Sequence, residues 1–559
     1  MVSQPSPPGT DPVGSLRGAV RAVADELRPA SGEQDGKRRA APTLERPPRA
    51  ELGDYSTNAA MLLAPVLGGP PREVAERLRE PLAAMLGAEA ERIEVAGPGF
   101  LNLFLSDRWY REGVRAMLEP EAEFGRLSEA GGSVAVEFVS ANPTGPLTAA
   151  GGRHAAYGDS LARILESAGH RVERHYYLND TGGQVQRFAE SIAARMTAAE
   201  PPEDGYLGEY VGELADELRA AGVDPGDTEE LGRLGTEAMR QRIESTLERF
   251  RVVYDHWFSE RSFHESGKLE RTIAELRELG HVYESEGATW LRTTEFGDDK
   301  DRVLIRSGGE PTYFAADLAY HREKLDDADL LINVLGADHH GYLARMRAAI
   351  AALGADPNRF EALLMQLVHV VEAGERAQMS KRKGEFVSLD ELVEDIGVDA
   401  ARFFMVQRSH ETTLDLDLAL ARRQSSDNPV YYVQYAHARI ASILRKAADE
   451  HGWEDSPERA LADAEAGRDA VAEPSERELI KRLLEFPDEV RAAAELRAPH
   501  RLCQYATGTA ADFHAFYRDC QVVGAGGELE QARLALCVAT KTVIASTLEL
   551  LGVAAPERM

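Results

Sequence analysis

The sequence predicts a multidomain α/β protein, with a parallel-sheet domain in the middle, an α+β domain ahead of it and an all-helical region after it. Three observations carry this expectation. Val134, Val136 and Phe138 alternate with Ala135, Glu137 and Val139 at strand spacing; a loop with Pro143, Gly145 and Pro146 follows; from Ala155 on, Leu161, Ile164, Leu165 and Ala168 recur at helical spacing, with Gly169 as the stop. Residues 172–178 and the apolar runs 330–335 and 363–371 read as further strands, the last two covered on both faces as in a parallel sheet. Beyond Leu389 the pattern is helical to the end.

In chain order, residues 1–13 form a Pro-rich, disordered start. The α+β domain spans 14–128: an amphipathic helix over 16–27, a helix over 71–86 opened by Pro71, and two strands within 93–107 around Gly97, Pro98 and Gly99. A glycine-rich break at 129–133 opens the parallel-sheet domain, which runs to 388. It carries a charged helical insertion over about 190–300 and a hairpin-like segment near 289–304. A helical stem at 389–427 leads to a helical domain at 428–559, where Ser475 and Glu478 have the form of a capping box, Pro487 restarts a helix and 450–478 reads as a solvated acidic surface.

At 559 residues the chain exceeds a single core and suggests three or four domains. A formal net charge of −30 argues against general coating of nucleic acid but leaves room for a polyanion held by a local basic surface. Cys503, Cys520 and Cys537 are odd in number and lack CxxC spacing, so neither a disulfide framework nor a zinc site is expected, and a reducing cytoplasm fits. No apolar run reaches membrane-spanning length, and the first residues lack the apolar stretch of a signal peptide.

The chemistry concentrates in a few places. A strand-loop-helix of the kind at 134–159 aims backbone N–H groups and a helix N-terminus at an anion. Neither GxGxxG nor GxxxxGK[ST] is present, which excludes the usual dinucleotide fingerprint and the P-loop. QMSKRKG at 378–384 sets Lys381, Arg382 and Lys383 in an otherwise acidic chain; such a segment is either an exposed basic loop or one that closes on nucleotide phosphates as pyrophosphate leaves. Glu137 lies mid-strand, where a carboxylate is costly unless it pairs with a ligand cation or an internal Arg, or faces solvent. Tyr313 and Asp317 share a helix face. Asn179, Asp180 and Gln184 follow the second strand, at the edge where open α/β sheets bind ligands, and Asp180 also suits a helix cap. Tyr431, Tyr435, Ala438 and Ser442 fall at helical spacing, as a core stripe or as a surface on which single-stranded bases stack.

Taken together, these motifs resemble the class I aminoacyl-tRNA synthetases, and closely the arginyl-tRNA synthetase family. VEFVSANPTGPL at 136–147 resembles that family's first strand and the lead-in to its HIGH motif, QMSKRKG its KMSKS loop with Gln378 for the first lysine, and GADHHGYLARM at 336–346 the strand-end motif between them. NPVYYVQYAHARI at 428–440, FHAFYRDCQV at 513–522 and LELLGVAAPERM at 548–559 resemble its anticodon-binding domain, and GDYSTNAA and AGPGFLNLFLS its N-terminal domain. The resemblance covers nearly everything from about residue 14 on. It implies a Rossmann-like catalytic domain at 129–388, an N-terminal domain that binds the tRNA elbow, and an anticodon-binding domain at 428–559.

It also implies an arginine–tRNA ligase, a cytoplasmic monomer that takes L-arginine, ATP with Mg²⁺ and tRNA(Arg), and holds no structural metal. Glu137, Asn142, Tyr313 and Asp317 would bind arginine. Ser140, Gly145, Arg153, Gly336, Asp338, His339, Met379 and Lys381 would bind ATP; Thr148, Gly151, Ser380 and Lys381 would serve catalysis; Phe100, Asn102, Tyr431, Tyr435 and Arg439 would meet tRNA. One departure stands out. The family pattern places His-x-Gly-His where this chain has Thr148, Ala149, Ala150 and Gly151. Loss of one transition-state donor reduces rate by about 10²–10³ if uncompensated. Thr148 keeps a hydroxyl, His154 lies about 9 Å further along an ideal helix, and His339 and His340 are candidates to share the load. The alternative is a synthetase paralogue that binds tRNA or arginine without activating it.

Overall fold

Five parallel strands form the central sheet: β1 (Ser133–Glu137), β2 (Arg171–Leu178), β3 (His256–Ser259), β4 (Leu330–Gly336) and β5 (Phe360–Met365), in the order β5-β4-β1-β2-β3. The computed structural model describes residues 11–28, 41–119, 124–127, 131–339, 341–372, 375–376, 387–466 and 473–559. Val134, Val136, Leu331, Ile332 and Val334 are buried, as strands with helices on both faces require. Helix α1 (Ala149–Ser167) connects β1 to β2, and helix α2 (Tyr313–Asp327) leads into β4. Because β2 and β4 flank β1 on opposite sides, a crevice opens beyond the C-terminal ends of β1 and β4.

Local chemistry moves several boundaries. Helix α1 starts at Ala149, ahead of the apolar periodicity, because the Thr148 side chain caps it and accepts the Gly151 N–H at 3.3 Å. The run 363–371 is two strands, not one. β5 ends at Met365, and Val368–Glu372 joins a second sheet with Glu375–Arg376 and Leu414–Asp417, so the region beyond Leu389 is not wholly helical. The polar break between them is held by the Gln366 N–H, which donates to the His410 carbonyl at 2.8 Å. The insertion encloses its own small core around Phe188, Ile192, Leu214 and Met239 and ends in a three-stranded antiparallel sheet of Val282–Ser285, Ala288–Leu291 and Arg302–Ile305.

The N-terminal residues form a four-stranded antiparallel sheet, with Phe100–Leu105 between Tyr55–Thr57 and Ala90–Ala96, packed against the helices Ala59–Leu67 and Pro71–Leu86, on which the helix Pro12–Glu26 lies. Their ties to the C-terminal helices are apolar and ionic: the helix Asp107–Leu118 packs against those helices, with Gly113 seated on Leu484, while Arg17 pairs with Asp488 at 3.0 Å and Lys481 with Asp54 at 3.2 Å. In the C-terminal domain the capping box is Glu473 with Glu476, not Ser475 with Glu478, because Pro474 occupies the first turn and sets the cap before it. Part of the segment expected to be solvated surface is interior: Ala460 is buried, Asp463 accepts from Trp453 Nε1 at 2.7 Å, and buried Glu476 pairs with Arg533 at 2.6 Å.

One buried ion cluster locks α1 to the C-terminal region. Asp159 on α1 pairs with Arg402 on the helix Leu389–Val406, and both are fully enclosed. Arg402 also donates to the carbonyls of Leu551 at 3.0 Å and Phe250 at 2.9 Å. Gly552, at a φ of 66°, lets the chain pass this guanidinium; a Cβ there would collide with Arg402. Removing one partner of such a pair leaves an uncompensated buried charge, so Arg402→Met should destabilise the fold by roughly 3–5 kcal/mol. Arg163→Met, at the exposed side of Asp159, should lose less than about 1 kcal/mol. Urea midpoints of the two variants measure the difference.

Candidate active site

The crevice is built around a carboxylate at the end of β1. Glu137 is 7% exposed and sits in register between Asn333 of β4 and His175 of β2. Its Oε2 accepts from Lys324 Nζ at 2.9 Å and its Oε1 from Ser140 Oγ at 3.1 Å. Lys324, itself buried on α2, also donates to Asn333 Oδ1 at 3.0 Å. His321 continues the network: its Nδ1 lies 2.8 Å from the Asp317 carbonyl and its Nε2 lies 3.2 Å from Asn333 Nδ2, which sets the tautomer with the proton on Nδ1. Burial is the largest single effect on Glu137 and opposes its charge, but the Lys324 ammonium, His321 and the hydrogen bonds from Lys324 and Ser140 together outweigh it and hold the carboxyl below its usual range. Burial lowers the His321 imidazole to about 4, so it is neutral.

Further carboxyls crowd this pair. Asp317, one α2 turn from Tyr313, makes no side-chain hydrogen bond or ion pair among the described residues; burial first, then the Glu137 charge, push it up to about 7. Glu260, which follows β3, is also raised to about 7, by burial and then by Asp317 and Asp180. A cation entering here relieves mutual repulsion. Tyr313 is exposed, and its hydroxyl reaches so near Gly182 (φ of 80°) that a Cβ there would lie 2.6 Å from it. Asn142 Nδ2 donates to Gln184 Oε1 at 2.6 Å on the same rim. Asp180 does not cap the next helix; it accepts from Ser259 Oγ at 2.6 Å and the Arg261 N–H at 3.0 Å, and Thr181 holds the cap position. Val139 and Ser140 adopt φ of 69° and 39°, strain at the turn that carries the chain away from Glu137.

On the α1 side, Thr148 and Gly151 lie in the first turn, whose N-terminal amides face outward from the sheet's C-terminal edge. The chain leaving the 378–384 segment is fastened there: the Ala149 N–H donates to the Val387 carbonyl at 3.1 Å and the Leu389 N–H to the Leu147 carbonyl at 2.8 Å. Met379, Ser380 and Lys381 lie outside the described residues, as does His340. Gly336 ends β4; Asp338 and His339 follow it in a single exposed turn, 3.8 Å apart. His154 meets this edge from α1. Its imidazole bonds to the Val334 main chain and is lowered to about 4, chiefly by burial.

Three expected ligand residues are engaged elsewhere. Arg153 is buried and donates to the carbonyls of Gln366, Ser409 and Thr412 at 2.8–2.9 Å, because its position on α1 faces the second sheet rather than the crevice. Gly145 is buried beneath Tyr210, where a Cβ would stand 3.0 Å from the phenol oxygen. Ser140 Oγ donates to Glu137 Oε1 and accepts the Tyr177 N–H at 3.2 Å. Lys324, His321 and Glu260 were missed by the sequence reading. The α2 residues carry a legible signal, since 313, 317, 321 and 324 fall on one helix face; Glu260 has none.

A second candidate surface lies on the helix Pro429–His451. Tyr431 and Tyr435 stack with ring centroids 6.2 Å apart and planes 10° apart, and the Arg439 guanidinium lies 5.0 Å from the Tyr435 ring and 5.2 Å from that of Tyr517. Ser426, Tyr431, Tyr432, Tyr435 and His514 line a cavity of about 490 Å³. In the N-terminal sheet Phe100 is exposed, but Asn102 is buried and accepts from Ser56 Oγ at 2.8 Å, so its side chain belongs to the sheet and not to a surface.

Comparison with known proteins agrees along the chain. Residues 17–105 match the family described as arginyl tRNA synthetase N terminal domain, 222–425 the class I (R) tRNA synthetase catalytic domain and 433–559 the DALR anticodon binding domain. The chain is 44% identical to the arginine–tRNA ligase of Carboxydothermus hydrogenoformans over 98% of both chains, and 45% identical to that of Moorella thermoacetica over 92% of this chain and 93% of the other. The arginyl-tRNA synthetase structure from Thermus thermophilus superposes with a TM-score of 0.76 at 26% identity, covering 98% of this chain and 99% of that one.

The raised Asp317 carboxyl predicts a pH-dependent stability. Above pH 7 the folded state carries a charge it resists, while below about pH 4 the group is protonated in both folded and unfolded states. Asp317→Asn should therefore raise the thermal unfolding temperature at pH 8 and leave it unchanged near pH 4.

Proposed function

The chain belongs to the arginyl-tRNA synthetase family and acts as an ATP-dependent arginine–tRNA ligase; on that basis we propose what its cleft residues do. Glu137 and Asp317 pair with the arginine guanidinium, and Tyr313 closes over its stem. The observation that carries this reading is the crowding of carboxyls in the cleft: Glu137 and Asp317 share Lys324 with Arg345 nearby, and Glu260 is raised beside Asp317 and Asp180. Lys324 and Ser140 use two of about four acceptor positions on Glu137, which leaves room for a planar, forked cation. Lys324 keeps Glu137 ionised before arginine arrives. Asn142, steadied by Gln184, orients the amino end.

In the first step the arginine carboxylate attacks the ATP α-phosphate, giving arginyl-adenylate and pyrophosphate. In the second a terminal ribose hydroxyl of tRNA(Arg) attacks the adenylate carbonyl and AMP leaves. The protein aligns the reactants and stabilises developing charge. The Thr148 oxygen accepts the Gly151 N–H, so its hydroxyl proton remains available to a phosphate. Lys381 and Ser380 clamp the departing pyrophosphate. Support comes from the Val387 anchor at the α1 N-terminus: Gly384 is three residues away, a reach of at most about 11 Å. Gly336, Asp338, His339 and His154 hold the adenosine side. Mg²⁺ enters with ATP as part of the substrate, and bound tRNA is needed for adenylate formation.

For tRNA, the N-terminal domain at 14–128 meets the elbow through Phe100, and the helical domain at 428–559 stacks anticodon bases on Tyr431 and Tyr435 beside Arg439. Both act within one cytoplasmic monomer. Among the described residues no helix is long and apolar enough to cross a membrane, and Cys503, Cys520 and Cys537 are buried free thiols.

Arginine-dependent pyrophosphate exchange with and without tRNA tests the whole reading: exchange with both present supports it, and tight tRNA binding without exchange would show a non-activating paralogue instead. Because Asp317 titrates near 7 without ligand and must ionise to pair with arginine, KM for arginine should rise up to about tenfold per pH unit below pH 7. Asp317→Asn should flatten that slope and raise KM at pH 8. A Thr148→His variant should exchange faster than the parent if the missing imidazole limits the rate; an equal rate would place the limit elsewhere.

A further inference from the structure

The polar row that contains Glu137 continues to the edge of the sheet. Glu137 on β1 is in register with His175 on β2, and His175 with His256 on β3. Glu173, two residues before His175, projects to the same face. Glu173 Oε2 lies 3.5 Å from His175 Nε2 and 3.4 Å from His256 Nε2. A tetrahedral zinc with bonds of about 2.0–2.1 Å has ligand-to-ligand edges of roughly 3.3–3.4 Å, so two edges of such a centre are already in place. The three donor atoms all lie within 4.8 Å of one another, so only the edge between the imidazoles has to close.

The surroundings suit an ion rather than a plain ion pair. His175 is 3% exposed, and its Nδ1 has no hydrogen-bond partner, so no competing bond fixes the ring in another orientation. The His256 and Glu173 side chains are 49% and 38% exposed, which gives an ion an entrance and leaves a fourth position to water. Two imidazoles and a carboxylate are a donor set for zinc, not for magnesium.

We propose that Glu173, His175 and His256 bind one zinc-class divalent ion at the edge of the sheet, and that the bound ion weakens arginine binding at Glu137. The second clause rests on the reading of Glu137 as the guanidinium partner. Neighbouring strands are about 4.8 Å apart, so an ion held between β2 and β3 adds positive potential one to two strand spacings from Glu137, on the sheet face that carries it.

The test uses the untagged full chain after chelator treatment, titrated with ZnCl₂ by calorimetry and with Co²⁺ by visible absorption. One ion per chain with a tetrahedral Co²⁺ spectrum is expected. His256→Ala and Glu173→Gln, both at solvent-facing side chains, should each weaken binding by more than about tenfold. In pyrophosphate exchange, zinc should raise KM for arginine severalfold in the parent with little change in kcat, and should leave the KM of His256→Ala unmoved. Absence of one-to-one uptake, or uptake unchanged in both variants, overturns the site. Uptake with an unmoved KM overturns its coupling to arginine. Glu137→Gln in metal-free enzyme reports separately on the arginine reading: an unchanged KM there would sink that reading whatever zinc does.

Discussion

An ionised carboxylate inside a parallel sheet needs a cation at hydrogen-bond distance, and much of the catalytic domain follows from meeting that need at Glu137. The isolated charge is strongly disfavoured in a low-dielectric interior. Lys324 supplies the counter-charge, and to do so α2 must pack on the sheet face over the end of β1 and the middle of β4. Lysine in turn has donors to satisfy, and Asn333 takes one; Asn333 needs its own acceptor, and His321 provides it. Each partner is buried, so the network holds only as a whole. That rigidity keeps Glu137 charged and aimed before any ligand arrives.

The same network bears on the proposal that the pocket takes a cation of a particular shape. Burial first, and then the neighbouring carboxylates, push Asp317 and Glu260 up to about 7 although Arg345 and Lys324 act against the shift at Asp317. A point charge such as an ammonium would duplicate what Lys324 already does. A flat guanidinium can reach two carboxylates at once and share Glu137 with the lysine. Strain at Val139 and Ser140 belongs to this arrangement, since the turn must leave β1 sharply for Ser140 to fold back onto Glu137.

Arginine residues do a different job elsewhere in the chain. Arg153 and Arg402 are both fully buried, and each uses its planar donors to gather main-chain carbonyls where helices and strands end. Burial lowers Arg153 to about 10, which leaves it charged at neutral pH without any carboxylate beside it. The two residues join α1 to the second sheet and to the C-terminal segment. The N-terminus of α1 and the anchor at Val387 are thereby held in one fixed relation, as a site that must align two substrates requires.

The strands at 133–137, 171–178 and 330–336, the helix over 71–86 and the family motifs were all legible in the sequence, because period-two and period-3.6 patterns and local Pro and Gly chemistry act over a few residues. Helix starts were less legible wherever a cap outranked apolar spacing, as at Thr148 and Pro474. Which partners the side chains of Arg153, Asn102 and Ser140 take was not legible, since that depends on neighbours far away in the chain. The sequence by itself determined the fold class, the order of the main domains, the family and the presence of a carboxylate on β1. Only the tertiary structure decided that Lys324, 187 residues further on, is that carboxylate's partner, because long-range charge pairing follows from strand order and helix placement and leaves no local periodic trace.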